Sequence, residues 1–245
     1  MMSFSKYWSE SVPWSFKDEK LTYEQRRMLR YDLQDYMLET IPFGAWTGKQ
    51  VLEIGCGTGI DSAEFARNGA FVTAVDFAEE SVKRTIETFQ EAGLKGNILM
   101  RPANATRLPD KSFDAAYSFG VLHHIPNVDD ALREITRLLK PGGEGVFMVY
   151  NKDSLLNAYS ILYLHRGEGS DQQLATNYSE RKAGNPYTKL YTSEEAKELF
   201  GKYFGDVRVK TAFSVIDTET QRKVKINAPE DLGWHLLLFC KHPVQ

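Results

Sequence analysis

Val51-Leu52-Glu53-Ile54-Gly55-Cys56-Gly57-Thr58-Gly59 is the stretch that decides how this chain folds. A short apolar strand runs into three glycines on alternate positions, and a helical pattern opens directly after them over residues 60–68. Glycine is needed where a backbone turns tightly or approaches a ligand with no room for a Cβ. The helix that follows presents free N–H groups and a partial positive charge, the natural seat for a carboxylate or a phosphate. A plain tight turn is the other reading of the same residues.

Outward from this loop, strand and helix patterns alternate. Phe71-Val72-Thr73-Ala74-Val75 is a β-branched strand, and residues 79–92 form a helix with Val82, Ile86 and Phe89 on one face and Gly93 as its stop. Asn97 to Met100 and Phe113 to Ser118 follow as strands. Residues 128–140 carry Val128, Ala131, Leu132, Ile135, Leu138 and Leu139 on one helical stripe, stopped by Pro141-Gly142-Gly143 before the strand Val146-Phe147-Met148-Val149. Upstream, residues 21–40 read as one helix ended by Pro42 and Gly44. Downstream, residues 151–191 are a mixed, partly helical insertion. Thr192 and Glu195 make a capping box, and residues 206–216 and 233–240 are two late strands paired antiparallel. Strands separated by helices pair parallel through right-handed crossovers and are covered on both faces, which accounts for their near-continuous apolar runs. The expected organisation is an N-terminal helical lid segment over 1–44 and one α/β domain over 45–245, with the insertion at about 151–191.

Composition narrows the function. The chain has 245 residues with 30 basic and 33 acidic side chains, a net charge of −3. This balance lacks the footprint of a phosphate-backbone binder, so no nucleic-acid partner is expected. The two cysteines, Cys56 and Cys240, form neither a disulfide framework nor a metal spacing. The N-terminal residues lack the apolar run of a signal peptide and no stretch is long enough to span a membrane, so the expected setting is cytoplasmic and membrane-free.

Two acids accompany the glycine loop. Asp76 ends the strand after it, where a carboxylate can accept from both hydroxyls of a ribose or cap the next helix. Glu53 lies at the end of an apolar strand, and a buried carboxylate needs a partner, either a bound ammonium or a loop N–H.

The segment 51–59, then Val75-Asp76, Asn104-Ala105, Ser112-Phe113-Asp114, Val121-Leu122-His123-His124 and Leu139-Lys140-Pro141-Gly142-Gly143, stand in one order and spacing over roughly residues 45–150. In this combination the chain resembles the class I S-adenosylmethionine-dependent methyltransferases. The resemblance implies a Rossmann-like, doubly wound, seven-stranded and mostly parallel sheet with an antiparallel last strand. It implies S-adenosyl-L-methionine as cofactor, S-adenosyl-L-homocysteine as product and a small-molecule acceptor. Gly55, Cys56, Gly57 and Gly59 would wrap the methionine part, with Glu53 supporting the loop or the amino group. Asp76 would hold the ribose and Phe77 flank the adenine. Asn104-Ala105 would face the adenine amino group, and the backbone at Ser118 would line the cofactor. Many relatives carry Asp at the position of Asn104; Asn keeps an acceptor oxygen without the charge. Three other readings remain: a nicotinamide-dependent dehydrogenase, which usually wants a different glycine spacing, transfer of another group such as aminopropyl, and a catalytically silent module that only binds the cofactor.

Methyl transfer from a sulfonium is an in-line displacement that asks chiefly for alignment and exclusion of water. It requires no covalent nucleophile and no metal, so Cys56 is expected to be inert. A base is needed only where the acceptor carries a proton that must leave. His124 and Tyr150, at the ends of two successive strands, are the candidates for the reacting end. His123, Asn151 and His165 are candidates for acceptor contacts, whereas His235 reads as structural. Tyr7 and Trp8, with Trp14 and Phe16, are expected to form an aromatic lid that contacts the acceptor, with plain packing as the other reading. The sequence leaves the oligomeric state open.

Overall fold

The computed structural model describes residues 7, 8, 10, 21–180, 184–217, 223–225 and 229–244. Residues 21–40, where the periodicity predicts one helix, form two short helices, α1 (Tyr23–Leu33) and α2 (Tyr36–Thr40). Thr22 and Gln25 cap α1 reciprocally, and the chain turns at Gln34 so that Met37 of α2 reaches the core.

The alternation then follows as expected: β1 (Gln50–Ile54), α3 (Ile60–Arg67), β2 (Phe71–Asp76), α4 (Glu79–Glu91), β3 (Asn97–Met100), β4 (Phe113–Phe119), α5 (Val128–Leu138) and β5 (Leu139–Tyr150). Strand β5 begins earlier than predicted. The Pro141-Gly142-Gly143 run is taken up inside it, with Phe113 opposite Leu139 and Ala115 opposite Glu144 across a register shift. The insertion holds a wide helical stretch, Leu156–Tyr163, closed by an i→i+5 bond from the Leu164 N–H to the Tyr159 carbonyl, and then α6 (Asp171–Tyr178). Helix α7 (Ser193–Gly201) opens on the predicted Thr192–Glu195 capping box. β6 (Phe204–Ala212) and β9 (His235–Pro243) are the late antiparallel pair. Between them, β7 (Val215–Asp217) and β8 (Lys223–Lys225) form a separate two-stranded ribbon that the periodicity does not announce.

The main sheet has seven strands in the order β3-β2-β1-β4-β5-β9-β6. Strands β1 to β5 pair parallel, and β9 runs antiparallel to both of its neighbours. This is the doubly wound architecture expected. Successive side chains of β9 face opposite layers, so Leu237 joins Trp46, Phe65 and Tyr117 on one side while Leu236 and Leu238 join Leu132, Ile135 and Phe147 on the other. Among the described residues no helix is long and apolar enough to cross a membrane. Of the expected aromatic lid, Tyr7 and Trp8 are described, and Trp14 and Phe16 lie outside the described residues.

Candidate functional site

The glycine loop joins β1 to α3 at the carboxyl edge of the sheet, the place where open α/β folds bind ligands. Gly59 enters α3 with φ of 74°, and a Cβ there would come within 2.8 Å of the Thr85 backbone, so only glycine lets α3 and α4 close on each other. Gly57 has φ of 54° and nothing within 4 Å of its would-be Cβ, because that side of the residue opens into a cleft. The cleft encloses about 400 Å³, within the range of small-molecule sites. It spans the sheet edge from Asn104 after β3, past Asp76 and Phe77 after β2, to Phe119, Gly120 and His124 after β4.

Asp76 is buried at the end of β2. Its Oδ2 accepts from the Gly57 N–H at 3.0 Å and its Oδ1 from the Ala78 N–H at 2.9 Å. The carboxylate thus braces the glycine loop and holds the turn before α4, whose N-cap is Ala78 and not Asp76. Burial pushes its pKa up against the opposing pull of the Ala78, Gly57 and Phe77 N–H groups. Each carboxylate oxygen has further acceptor capacity, and the residue lines the cleft.

Glu53 is wholly buried and does not reach the cleft. It accepts from the Ser62 hydroxyl of α3, and burial followed by the nearby charge of Asp61 drives its pKa well above the carboxylate range. Asp61, in the first turn of α3, is the centre of a larger network. Its Oδ2 stands 2.8 Å from Arg30 Nη2 of α1, and it accepts from Tyr31 at 3.1 Å and Tyr117 at 3.0 Å. Arg30 also lies over the ring of Phe119, which lines the cleft. The network thus joins α1 to the start of α3 beside the loop. Arg30 was missed in the sequence because a lone basic residue on a helix reads as solvated.

Asn104 and Phe77 line the cleft. The turn that carries Asn104 and Ala105 is held by Glu134 of α5, which accepts from the Thr106 N–H at 2.8 Å and from its hydroxyl at 2.6 Å. Arg137 donates to the same carboxylate at 2.8 Å, and Arg137 first, then Thr106, hold the Glu134 pKa down to about 2.

The third region is the turn after β4. His124 lines the cleft, and Trp8 packs against it with the rings tilted by 54° and their centroids 4.5 Å apart. The Trp8 indole N–H is buried and meets no hydrogen-bond partner among the described residues. His124 Nδ1 lies 3.0 Å from the Tyr187 carbonyl and from the Thr188 hydroxyl, and its Nε2 lies 3.4 Å from Glu180 Oε1. Tyr150 donates to that same Glu180 oxygen at 2.7 Å. The insertion therefore folds back over the turn and supplies Glu180, Tyr187 and Thr188. None of these was singled out from the sequence, where the insertion offers no periodic signal to place them.

Several expected contacts fall elsewhere. Asn151 is buried, and its amide donates to the carbonyls of Gly233 at 2.8 Å and Asp231 at 3.3 Å, so it ties β5 to the turn before β9, outside the cleft lining. His165 lies on the surface, stacked on Tyr178 at 3.5 Å, away from the cleft. Cys56 is buried under Thr85, with burial raising its thiol pKa well up, in keeping with an inert thiol. The Ser118 hydroxyl donates to the Ile54 carbonyl at 2.8 Å and is not part of the cleft wall. His123 is fully buried behind His124, with burial pushing its pKa well below the usual range. His235 bonds to Tyr36 at 2.6 Å, the structural role expected of it.

Comparison with known proteins follows this geometry. Residues 52–147 match a family model described as a methyltransferase domain. The chain is 30% identical over 139 residues to a 27-O-demethylrifamycin SV methyltransferase of Amycolatopsis mediterranei, covering 56% of this chain and 50% of that protein. It is 37% identical over 102 residues to a sterol 4-C-methyltransferase of Caenorhabditis elegans, covering 41% of this chain and 30% of that one. The chain thus spans half or less of the length of these curated relatives. Among solved structures, a SAM-dependent methyltransferase from Aquifex aeolicus superposes with a TM-score of 0.56 at 18% identity, over 99% of this chain and 100% of that one, a likeness of fold.

Proposed function

We propose that residues 52–147, which match a methyltransferase domain, form a class I S-adenosylmethionine-dependent methyltransferase domain, and that the chain moves a methyl group from S-adenosylmethionine to an O, N or C atom of a small-molecule acceptor. The observation that carries this reading is the cleft in which Gly57 leaves the space of a side chain open next to the Asp76 carboxylate. Its donor set fits the cofactor. Asp76 would accept from the ribose hydroxyls, Phe77 and Asn104 would take the adenine, and the loop from Gly55 to Gly59 would hold the methionine part.

When bound, the cofactor supplies a methyl group already activated on a sulfonium. The chain's own part is to bind, align and keep water out. Rings and apolar side chains, Trp8, Phe119, Ile125 and Pro126, line the cleft on the side of His124. They favour an acceptor with an apolar body. The unpaired Trp8 N–H would donate to an oxygen of that acceptor, since a buried donor left without a partner costs about 1–3 kcal/mol. His124, in the cleft wall, and Tyr150, one layer behind it, are the residues we assign to the reacting end, with Tyr7 and Trp8 closing over it. His123 supports His124 from within.

The test is release of S-adenosylhomocysteine by the purified full chain supplied with S-adenosylmethionine and a panel of small-molecule acceptors, run beside calorimetric binding of the cofactor. Acceptor-dependent release supports the reading. Cofactor binding without turnover on any acceptor would favour the silent module, and absence of binding would remove the proposal.

A further inference from the structure

Three potential ligand groups converge behind the cleft. His124 Nε2 and Glu180 Oε1 are 3.4 Å apart, and one ring nitrogen of His123 lies with them so that all three ligand atoms are within 4.8 Å of one another. The other side of the His124 ring sets its direction. The Tyr187 carbonyl at 3.0 Å can only accept, so Nδ1 carries a proton and Nε2 is the ring nitrogen turned toward the Glu180 carboxylate. A nitrogen lone pair and a carboxylate at that distance call for a positive charge between them, a proton or a metal ion. A proton would serve two groups. Here there is a third, because His123 is fully buried and neither of its ring nitrogens meets a hydrogen-bond partner among the described residues.

We propose that His123, His124 and Glu180 bind a divalent first-row transition metal ion, of the zinc, cobalt or iron(II) kind. Two imidazoles and one carboxylate are the donors such ions prefer, and this set is too rich in nitrogen for magnesium or calcium. Two ligand atoms about 2.1 Å from one tetrahedral ion stand about 3.4 Å apart, the separation that His124 and Glu180 already have. Ligand atoms within 4.8 Å of one another need draw together by at most about 1.4 Å to meet that separation. The surrounding groups match what holds metal ligands in place. The Tyr187 carbonyl fixes the His124 tautomer and Tyr150 donates to the Glu180 oxygen at 2.7 Å, while Trp8 covers one ring and Tyr150 packs on the other at 3.8 Å. Three protein ligands leave coordination open to an oxygen of the acceptor. The site stands on the geometry of the turn after β4 and not on the proposed methyl transfer.

The experiment is a titration of the tag-free, metal-stripped full chain with Co²⁺, whose visible absorption reports imidazole and carboxylate ligation, followed by displacement with Zn²⁺. One equivalent binds in the wild type. Glu180→Gln and His123→Asn each weaken binding at least tenfold, and Tyr150→Phe weakens it by about tenfold through the misplaced carboxylate. Calorimetric binding of S-adenosylmethionine to the same variants shows that they are folded and reports separately on the cofactor site. Glu180→Gln is nearly isosteric and partly exposed, so it keeps the test decisive if His123→Asn does not fold. A wild-type chain that takes up no stoichiometric Co²⁺, or variants that bind it as the wild type does, would overturn the proposal and leave a proton shared between His124 and Glu180.

Discussion

At the scale of single residues, the glycine loop and Asp76 act as one unit. Replacing Asp76 with Ala removes the acceptor for the Gly57 and Ala78 N–H groups as well as the expected ribose contact. Each lost buried hydrogen bond is worth about 1–3 kcal/mol, so the affinity for S-adenosylmethionine should fall roughly 10- to 100-fold by calorimetry. Unchanged affinity would contradict the assignment of Asp76. Glu53 behaves differently. Its pKa is driven above the carboxylate range, so Glu53→Gln should retain the thermal midpoint within a few degrees, and a fall in cofactor affinity would then report a direct role. The loop, Asp76 and Asn104 were legible from sequence because their chemistry is local, a turn next to a strand end. The side chains of Asn151 and Cys56 show the other side of this: both turn into the protein, Asn151 onto the turn before β9 and Cys56 under Thr85. Position at a strand end or within a loop does not say which way a side chain turns.

At the scale of elements, two ties hold the site. The Arg30–Asp61 pair, at 2.8 Å and mostly buried, locks α1 onto α3. Asp61→Ala leaves a buried guanidinium uncompensated and should cost about 3–5 kcal/mol in urea unfolding, with loss of cofactor affinity in the variant that remains folded. The second tie is Glu134, which holds the turn carrying Asn104. Its pKa in the folded protein is lowered to about 2, so the stability it contributes is present above the ordinary carboxylate range and is lost as the pH falls toward 2. The Glu134→Gln variant should accordingly show a shallower decline in unfolding midpoint between pH 5 and pH 2 than the wild type. Neither tie could be read from spacing, since each joins residues about thirty positions apart through the packing of two helices or a helix and a turn. The alternating elements themselves were legible because helix and strand leave different periods in the apolar residues. The extra ribbon β7–β8 and the break between α1 and α2 were not, since each is too short to show a period.

At the scale of the whole molecule, the central sheet and the site come from different kinds of sequence. Strands β1 to β5 form the part that carries the family motifs, whereas the insertion after β5 reaches the turn after β4 only through the tertiary fold. Glu180, Tyr187 and Thr188 illustrate the limit: a segment without periodicity gave no indication that it closes over His124. From the N-terminal segment, Tyr7 is fully buried and Trp8 packs on His124 at the same place, in keeping with the proposed lid. Deleting residues 1–20 should therefore abolish turnover while circular dichroism and cooperative unfolding of the remaining chain persist. Unchanged turnover would remove the lid.

The strand order has one more effect. Strand β9 lies between β5 and β6, so the penultimate long strand of the polypeptide has no edge to join until the last one is in place. During folding, residues 204–212 stay without a partner in the sheet and β5 keeps an unpaired apolar border until His235–Pro243 is seated between them.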